Sequence, residues 1–163
     1  MKKIISLIIS LVLLFLLTAS IPGAQNALAS NGEFTQSDLS GVYAFSAEGT
    51  VYPSFPALSP ALPGVAVGLF TFDGAGGCTV MDQLNLASLG LVPSTGFRTS
   101  TTCQYTVNPD GTGTLESSFG GSPGDINGPS SLTFVIVDKG PVMEIRFIRV
   151  DLGVVATGVA RQQ

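Results

Sequence analysis

Gln104-Tyr105-Thr106-Val107-Asn108-Pro109-Asp110-Gly111-Thr112-Gly113-Thr114-Leu115-Glu116-Ser117-Ser118-Phe119 reads as two strands and the turn that joins them. Tyr105 and Val107 alternate with Gln104 and Thr106, and Leu115 and Phe119 alternate with Thr114, Glu116 and Ser118. A period of two gives each strand one buried face and one wet face. Between them Pro109 presets φ for a turn, and Gly111 accepts positive φ without a Cβ clash.

The same pattern recurs along the chain. It predicts strands over 41–48, 64–72, 78–86, 98–107, 112–119, 131–137, 142–150 and 153–161, and no segment carries a sustained helical period. The predicted fold class is all-β: an eight-stranded antiparallel up-and-down barrel, with 153–161 pairing to 41–48 so that no edge is exposed. Connections 49–63, 87–97 and 120–130 are long, whereas Asp73-Gly74-Ala75-Gly76-Gly77, Asn108-Pro109-Asp110-Gly111 and Asp138-Lys139-Gly140-Pro141 are tight turns. In this topology the two sets lie at opposite ends. The long-loop end is the expected working end, because a rigid scaffold carries its binding residues on loops.

Residues 1–29 read as a signal peptide: Lys2 and Lys3 precede an apolar run, and Ala27-Leu28-Ala29 is a small-x-small cleavage site. The apolar run over 4–17 is short for a membrane span of about 20 residues, although a retained N-terminal anchor is the alternative. Residues 30–40 form a polar lead-in, and 41–163 the single barrel domain. The expected location is secreted or periplasmic, with no membrane association after cleavage. Without Lys2 and Lys3, five basic residues face eleven acidic ones, which excludes a phosphate-backbone footprint and hence nucleic acid. Cys78 and Cys103, in an oxidising compartment, read as one disulfide. Closing that span stabilises the fold by about 3 kcal/mol on the chain-entropy model.

Alternation turns Tyr43, Phe45 and Ala47 inward, with Met143, Ile145, Phe147 and Arg149. If Cys78 faces Cys103, then Val80, Asp82, Leu84 and Leu86 point inward too. Asp82 and Arg149 are charges in an apolar interior, and a buried charge needs a partner or a ligand. Three readings stand: a register shift, a structural salt bridge between them, or a polar anchor for a ligand with an acidic head group. The long loops carry Tyr52, Phe55, Leu58, Leu62, Leu89, Leu91, Val92 and Phe97, which either cap the core or form a hydrophobic mouth. The candidate ligand-binding residues are therefore Arg149, Asp82, Tyr52, Phe55, Leu89 and Phe97.

Motifs for catalysis are weak. Gly120-Gly121-Ser122-Pro123-Gly124 matches G-x-S-x-G, but no helix follows and the chain contains no histidine. Asp125-Ile126-Asn127-Gly128 lacks the later carboxylates of a calcium loop. Without histidine, and with both cysteines paired, no zinc site can be built on His or thiolate ligands. No catalytic residue, metal ligand or cofactor is assigned.

Leu39-Ser40-Gly41-Val42-Tyr43 resembles the Leu-x-Gly-x-aromatic opening of lipocalins, avidins and bacterial lipocalin-like protease inhibitors. The segments Phe70-Thr71-Phe72-Asp73-Gly74-Ala75-Gly76 and Tyr105 through Gly113 look like those of a group of exported bacterial β proteins. The resemblance implies a calycin-like barrel, and the loop asymmetry with the apolar rim points to one that binds a small, mostly apolar ligand. The alternatives are a protein-binding module, such as a lipocalin-like protease inhibitor or surface component, and a cofactor-free cyclase or isomerase like the allene oxide cyclases. Tyr43 stands where the lipocalins carry tryptophan, and the chain has none, so biotin binding of the avidin kind is not implied. No functional residue of those families transfers to this sequence.

Overall fold

The structure, a computed structural model, describes residues 33–52, 61–87, 90–92, 96–121, 127–151 and 153–163. The predicted signal peptide 1–29 lies outside the described residues, as do Phe55, Leu58, Leu89, Ser122 and Asp125. The strands are β1 (Ser40–Val51), β2 (Leu62–Asp73), β3 (Cys78–Leu86), β4 (Gly90–Val92), β5 (Arg98–Thr99), β6 (Thr102–Val107), β7 (Thr112–Ser118), β8 (Ser130–Asp138), β9 (Glu144–Asp151) and β10 (Val154–Gln162). They form one antiparallel sheet in the order β4-β3-β2-β1-β10-β9-β8-β7-β6, with β5 on β3. The sheet curls into a half-barrel around the buried side chains. Strand β10 pairs with β1 as the topology required, Phe45 opposite Ala160.

The predicted hairpin forms with Tyr105 opposite Leu115 and Thr106 opposite Thr114. Gly111 sits at φ +85°, which the tight turn demands. Two features correct the eight-stranded closed barrel. A short strand, β4, lies inside the predicted 87–97 connection, and the predicted strand 98–107 is broken at Ser100-Thr101 into β5 and β6. The nine-strand path is therefore open. The β5–β6 side approaches β3, next to the end strand β4, through the two-residue β5–β3 ladder, an isolated bridge between Gly77 and Gln104, and the Cys78–Cys103 disulfide with Cα atoms 4.9 Å apart.

The break is a register shift. Asp82 pairs with Arg98 and Met81 with Thr99, but Gly77 pairs with Gln104, one residue out of step. At the shift the Ser100 hydroxyl accepts the Val80 N–H at 2.9 Å, and the Ser100 N–H donates to the Val80 carbonyl at 2.8 Å. A side-chain oxygen thus takes the place of a ladder acceptor, as bulges allow.

Across the middle of the half-barrel, three phenylalanines face glycines directly opposite: Phe45 with Gly68, Phe147 with Gly158, and Phe134 with Gly113. A Cβ on any of these glycines would lie under 3 Å from the facing ring. The rings occupy the space that side chains on the neighbouring strand would need, so each glycine's missing side chain is a packing device here. Phe45 stacks on Phe70 with centroids 4.4 Å apart, and Phe147 meets both edge-on.

The tight-turn end is closed by the chain's own lead-in. Residues Gln36–Asp38 form one 3-10 turn, held at its start by the Thr35 N–H, which donates to the Asp38 carboxylate at 2.7 Å. The Tyr105 hydroxyl lies within hydrogen-bond distance of the Gln36 and Leu39 carbonyls, at 3.0 and 2.8 Å. The Phe34 N–H donates to the Pro109 carbonyl, and Lys139 reaches both Asp38 and the face of Phe34. Beneath this cap Tyr43 packs edge-on against Phe72, and Phe72 against Tyr105.

Candidate functional site

The opposite end is built from small side chains. Ala47 and Gly49 at the end of β1, Gly64 and Ala66 at the start of β2, Ser117 on β7, Ser130 on β8 and Ala156 on β10 face the interior there. They surround a cavity of about 80 Å³ whose floor includes Phe45, Phe70 and Phe147. Its walls are the strand ends that lead into the three long connections and the 151–153 turn. The inward period of the strands continues to this end, but on β1, β2 and β8 the residues on it shrink from Phe and Tyr to Ala, Gly and Ser. Space remains because backbone spacing is fixed while side-chain volume is not.

Most charged groups on the wall are paired, and Glu48, which also lines the cavity, makes no ion pair among the described residues. Asp82 is 7% exposed, and its carboxylate receives Arg98 Nε at 2.6 Å and Nη2 at 3.1 Å. Arg98 also donates from Nη1 to Asn127 Oδ1 at 2.9 Å and lies 4.0 Å above the Phe119 ring. This bidentate, stacked arrangement uses the planar fork that distinguishes Arg from Lys. It ties β5 and the connection before β8 to the centre of β3. Ser117 and Ser130 share a buried hydrogen bond of 3.0 Å. Arg149 lines the same cavity and donates from Nε to Asp151 Oδ2, while Asp151 Oδ1 accepts the Ser131 N–H.

The candidate residues thus separate into three groups. Asp82 and Arg149 both face the cavity, but they do not pair with each other: each has its own partner. Tyr52 and Phe97 sit at this end about half exposed, and Tyr52 is tied to the turn before β10 by its N–H to the Gly153 carbonyl. Phe55 and Leu89 lie outside the described residues.

Arg98 is the member that sequence reasoning missed. Strict alternation from Tyr105 and Cys103 turns Arg98 outward, and the bulge at Ser100-Thr101 reverses it. The sequence gives little warning of that bulge. Thr99, Ser100, Thr101 and Thr102 form an unbroken run of small polar residues, in which no apolar side chain fixes the register. Ser117 and Ser130 were hidden for a related reason, since a serine reads as an outward residue by composition.

Among the described residues, no group of three or more acidic, Cys or His side chains could hold a metal ion, and no helix is long and apolar enough to cross a membrane. No protein-family model matches the chain, and no curated protein matches it.

Proposed function

We propose that this chain is an exported, calycin-like β protein that binds a small, mostly apolar molecule through its long-loop end. The observation that carries the reading is the volume gradient: the same strands are packed with aromatic rings at one end and leave a cavity of about 80 Å³ at the other. That volume is well below the roughly 300 Å³ of a drug-sized site. It therefore accepts one end of a ligand, with the remainder lying against Tyr52 and Phe97. The charges within the Asp82–Arg98 and Arg149–Asp151 pairs cancel on the wall, and Glu48, which also lines the cavity, leaves it negative. An uncharged polar end that accepts a hydrogen bond from the Arg149 guanidinium fits this wall better than the acidic head group expected from sequence. The disulfide and the Leu39–Tyr43 opening agree with export and with the calycin resemblance.

The test is native mass spectrometry of the protein purified from its own secreting host with the disulfide intact. The expected result is a discrete extra mass that vanishes on denaturation and is lost in Ala156→Leu, where the new side chain fills the cavity. A bare polypeptide mass, or an extra mass that Ala156→Leu leaves unchanged, overturns the reading.

A further inference from the structure

The outer surface of the half-barrel is as uneven as its interior. On β3, β6 and β7 the outward positions are mostly polar: Thr79, Asn85, Gln104, Thr106, Thr114 and Glu116. On β2, β10, β9 and β8 they include Val65, Val67, Val155, Ile148, Val135 and Val137, each 40–55% exposed. Two rows of outward residues cross this second region in register. One row runs Val65, Glu48, Thr157, Ile148, Thr133, and the next runs Val67, Ser46, Val159, Arg146, Val135. Together they line a shallow open groove of about 780 Å³.

Two opposite charges lie in the groove, and they do not meet. Glu48 is exposed on β1 and makes no ion pair among the described residues, while Arg146 lies two strands away on β9 and one row along. With strands about 4.8 Å apart and same-face neighbours about 6.8 Å apart, their Cα atoms are separated by roughly 12 Å. Arg146 shares Glu144 with Arg161, so that cluster keeps one positive charge in excess. The excess cation and the Glu48 carboxylate stand on opposite sides of the groove's centre, between Thr157 and Val159.

We propose that this face is an isologous interface with a second copy of the chain. A two-fold axis lying in the plane of the face, between Glu48 and Arg146, brings Glu48 of each copy against Arg146 of the other. Such an axis exchanges the same patch with itself, which is the commonest way for identical chains to associate. On the spacings above, the strands of the two copies cross at roughly 70°, close to orthogonal sheet packing. The two rows and the adjoining row of Thr50 and Val155, across five strands, make a face on the order of 500 Å² in projection. With side-chain relief this approaches the roughly 800 Å² that each partner contributes to a standard interface. Val159 and Ile148 supply the apolar centre, Val65, Val67 and Val135 flank it, and the two reciprocal ion pairs set the register.

Sedimentation velocity of the disulfide-intact protein expressed for export tests this. The wild type is expected to sediment as a dimer at tens of micromolar. Glu48→Arg or Arg146→Glu alone places like charges together and should weaken association at least about tenfold. The double variant Glu48→Arg/Arg146→Glu should restore it. Both positions are exposed, and unchanged thermal unfolding of the monomeric variants checks that the fold is kept. A wild type that stays monomeric at about 100 µM, including one that binds lipid vesicles instead, overturns the proposal. So does a double variant that fails to recover the dimer. Glu48 also lines the cavity, but Arg146 does not, so the Arg146→Glu result is independent of whether a ligand co-purifies.

Discussion

The two ends of the half-barrel are made from the same strands by opposite choices of side-chain volume. At the tight-turn end Leu39, Tyr43, Phe72 and Tyr105 fill the interior almost completely, and the 3-10 turn and the disulfide close it. At the long-loop end Ala47, Gly49, Gly64, Ala66 and Ala156 leave space, and Asp82, Arg98, Arg149, Ser117 and Ser130 are held by protein partners. The difference teaches that stability and accessibility are separated along each strand. Hydrophobic burial scales with the apolar area removed from water, so the aromatic end carries most of it. The small-residue end is then free to keep a cavity.

The most direct way to break this contrast is to truncate equivalent inward side chains at the two ends. Tyr43→Ala removes a fully buried ring and the Tyr43 Oη contact to Met143 Sδ at 3.2 Å. It should cost about 3–5 kcal/mol in urea unfolding. Leu84→Ala, on the half-buried cavity wall, should cost about 1 kcal/mol. Equal losses would mean that the long-loop end is as important to stability as the other.

A finer comparison lies within β10, where Ala160 and Ala156 share a face. Ala160 is fully buried under the aromatic end, so Ala160→Leu should overpack it by about 1–3 kcal/mol. Ala156 lines the cavity, and Ala156→Leu should change stability by less than about 1 kcal/mol. Melting curves of the two variants decide it, and a larger loss at Ala156 would show that the cavity wall cannot take up a side chain.

The smallest expected effect is in pH dependence, and it belongs to the closed end. Burial pushes the Tyr43 phenol up to about 12 and raises Tyr105 as well. An unfolded tyrosine ionises near pH ~10, so the unfolded chain releases these protons first. Stability from these phenols is therefore constant below about pH 10 and falls as pH rises from about 10 towards 12. The melting temperature should drop by about a few degrees over that interval, while the ultraviolet absorbance of tyrosinate shows the Tyr43 phenolate appearing only with unfolding. Ionisation of Tyr43 in the folded protein near pH ~10 would contradict the tight packing of that end.

The strands were legible because alternation and turn residues agree at each level. Tyr105 opposite Leu115 and the left-handed Gly111 follow directly from the 104–119 pattern, as does the inward set Tyr43, Phe45, Met143, Ile145 and Phe147. The site was legible only in part. Asp82 and Arg149 were found because charge on an inward position is conspicuous, yet their partners were not. Arg98 depends on a bulge that a polar run of Thr and Ser does not announce, and Asp151 partners Arg149 from two residues away along the same strand. The Gly–Phe pairs were hidden for another reason. A glycine in a strand gives no sign of its orientation until the register places an aromatic ring opposite it.

The β1–β10 ladder has a kinetic consequence. Every other full-length strand pairs with a neighbour close in sequence, but Val51 meets Val154 and Tyr43 meets Gln162, at opposite ends of the domain's sequence. Ordering that long a loop before any contact rewards it slows the step, so the hairpins assemble first and this ladder zips last. Until it does, β1 and β10 are two unpaired edges, each with a valine at the mouth of the sheet. The nascent chain is most open to joining a neighbouring molecule in that interval, and least so once Phe45 has found Ala160.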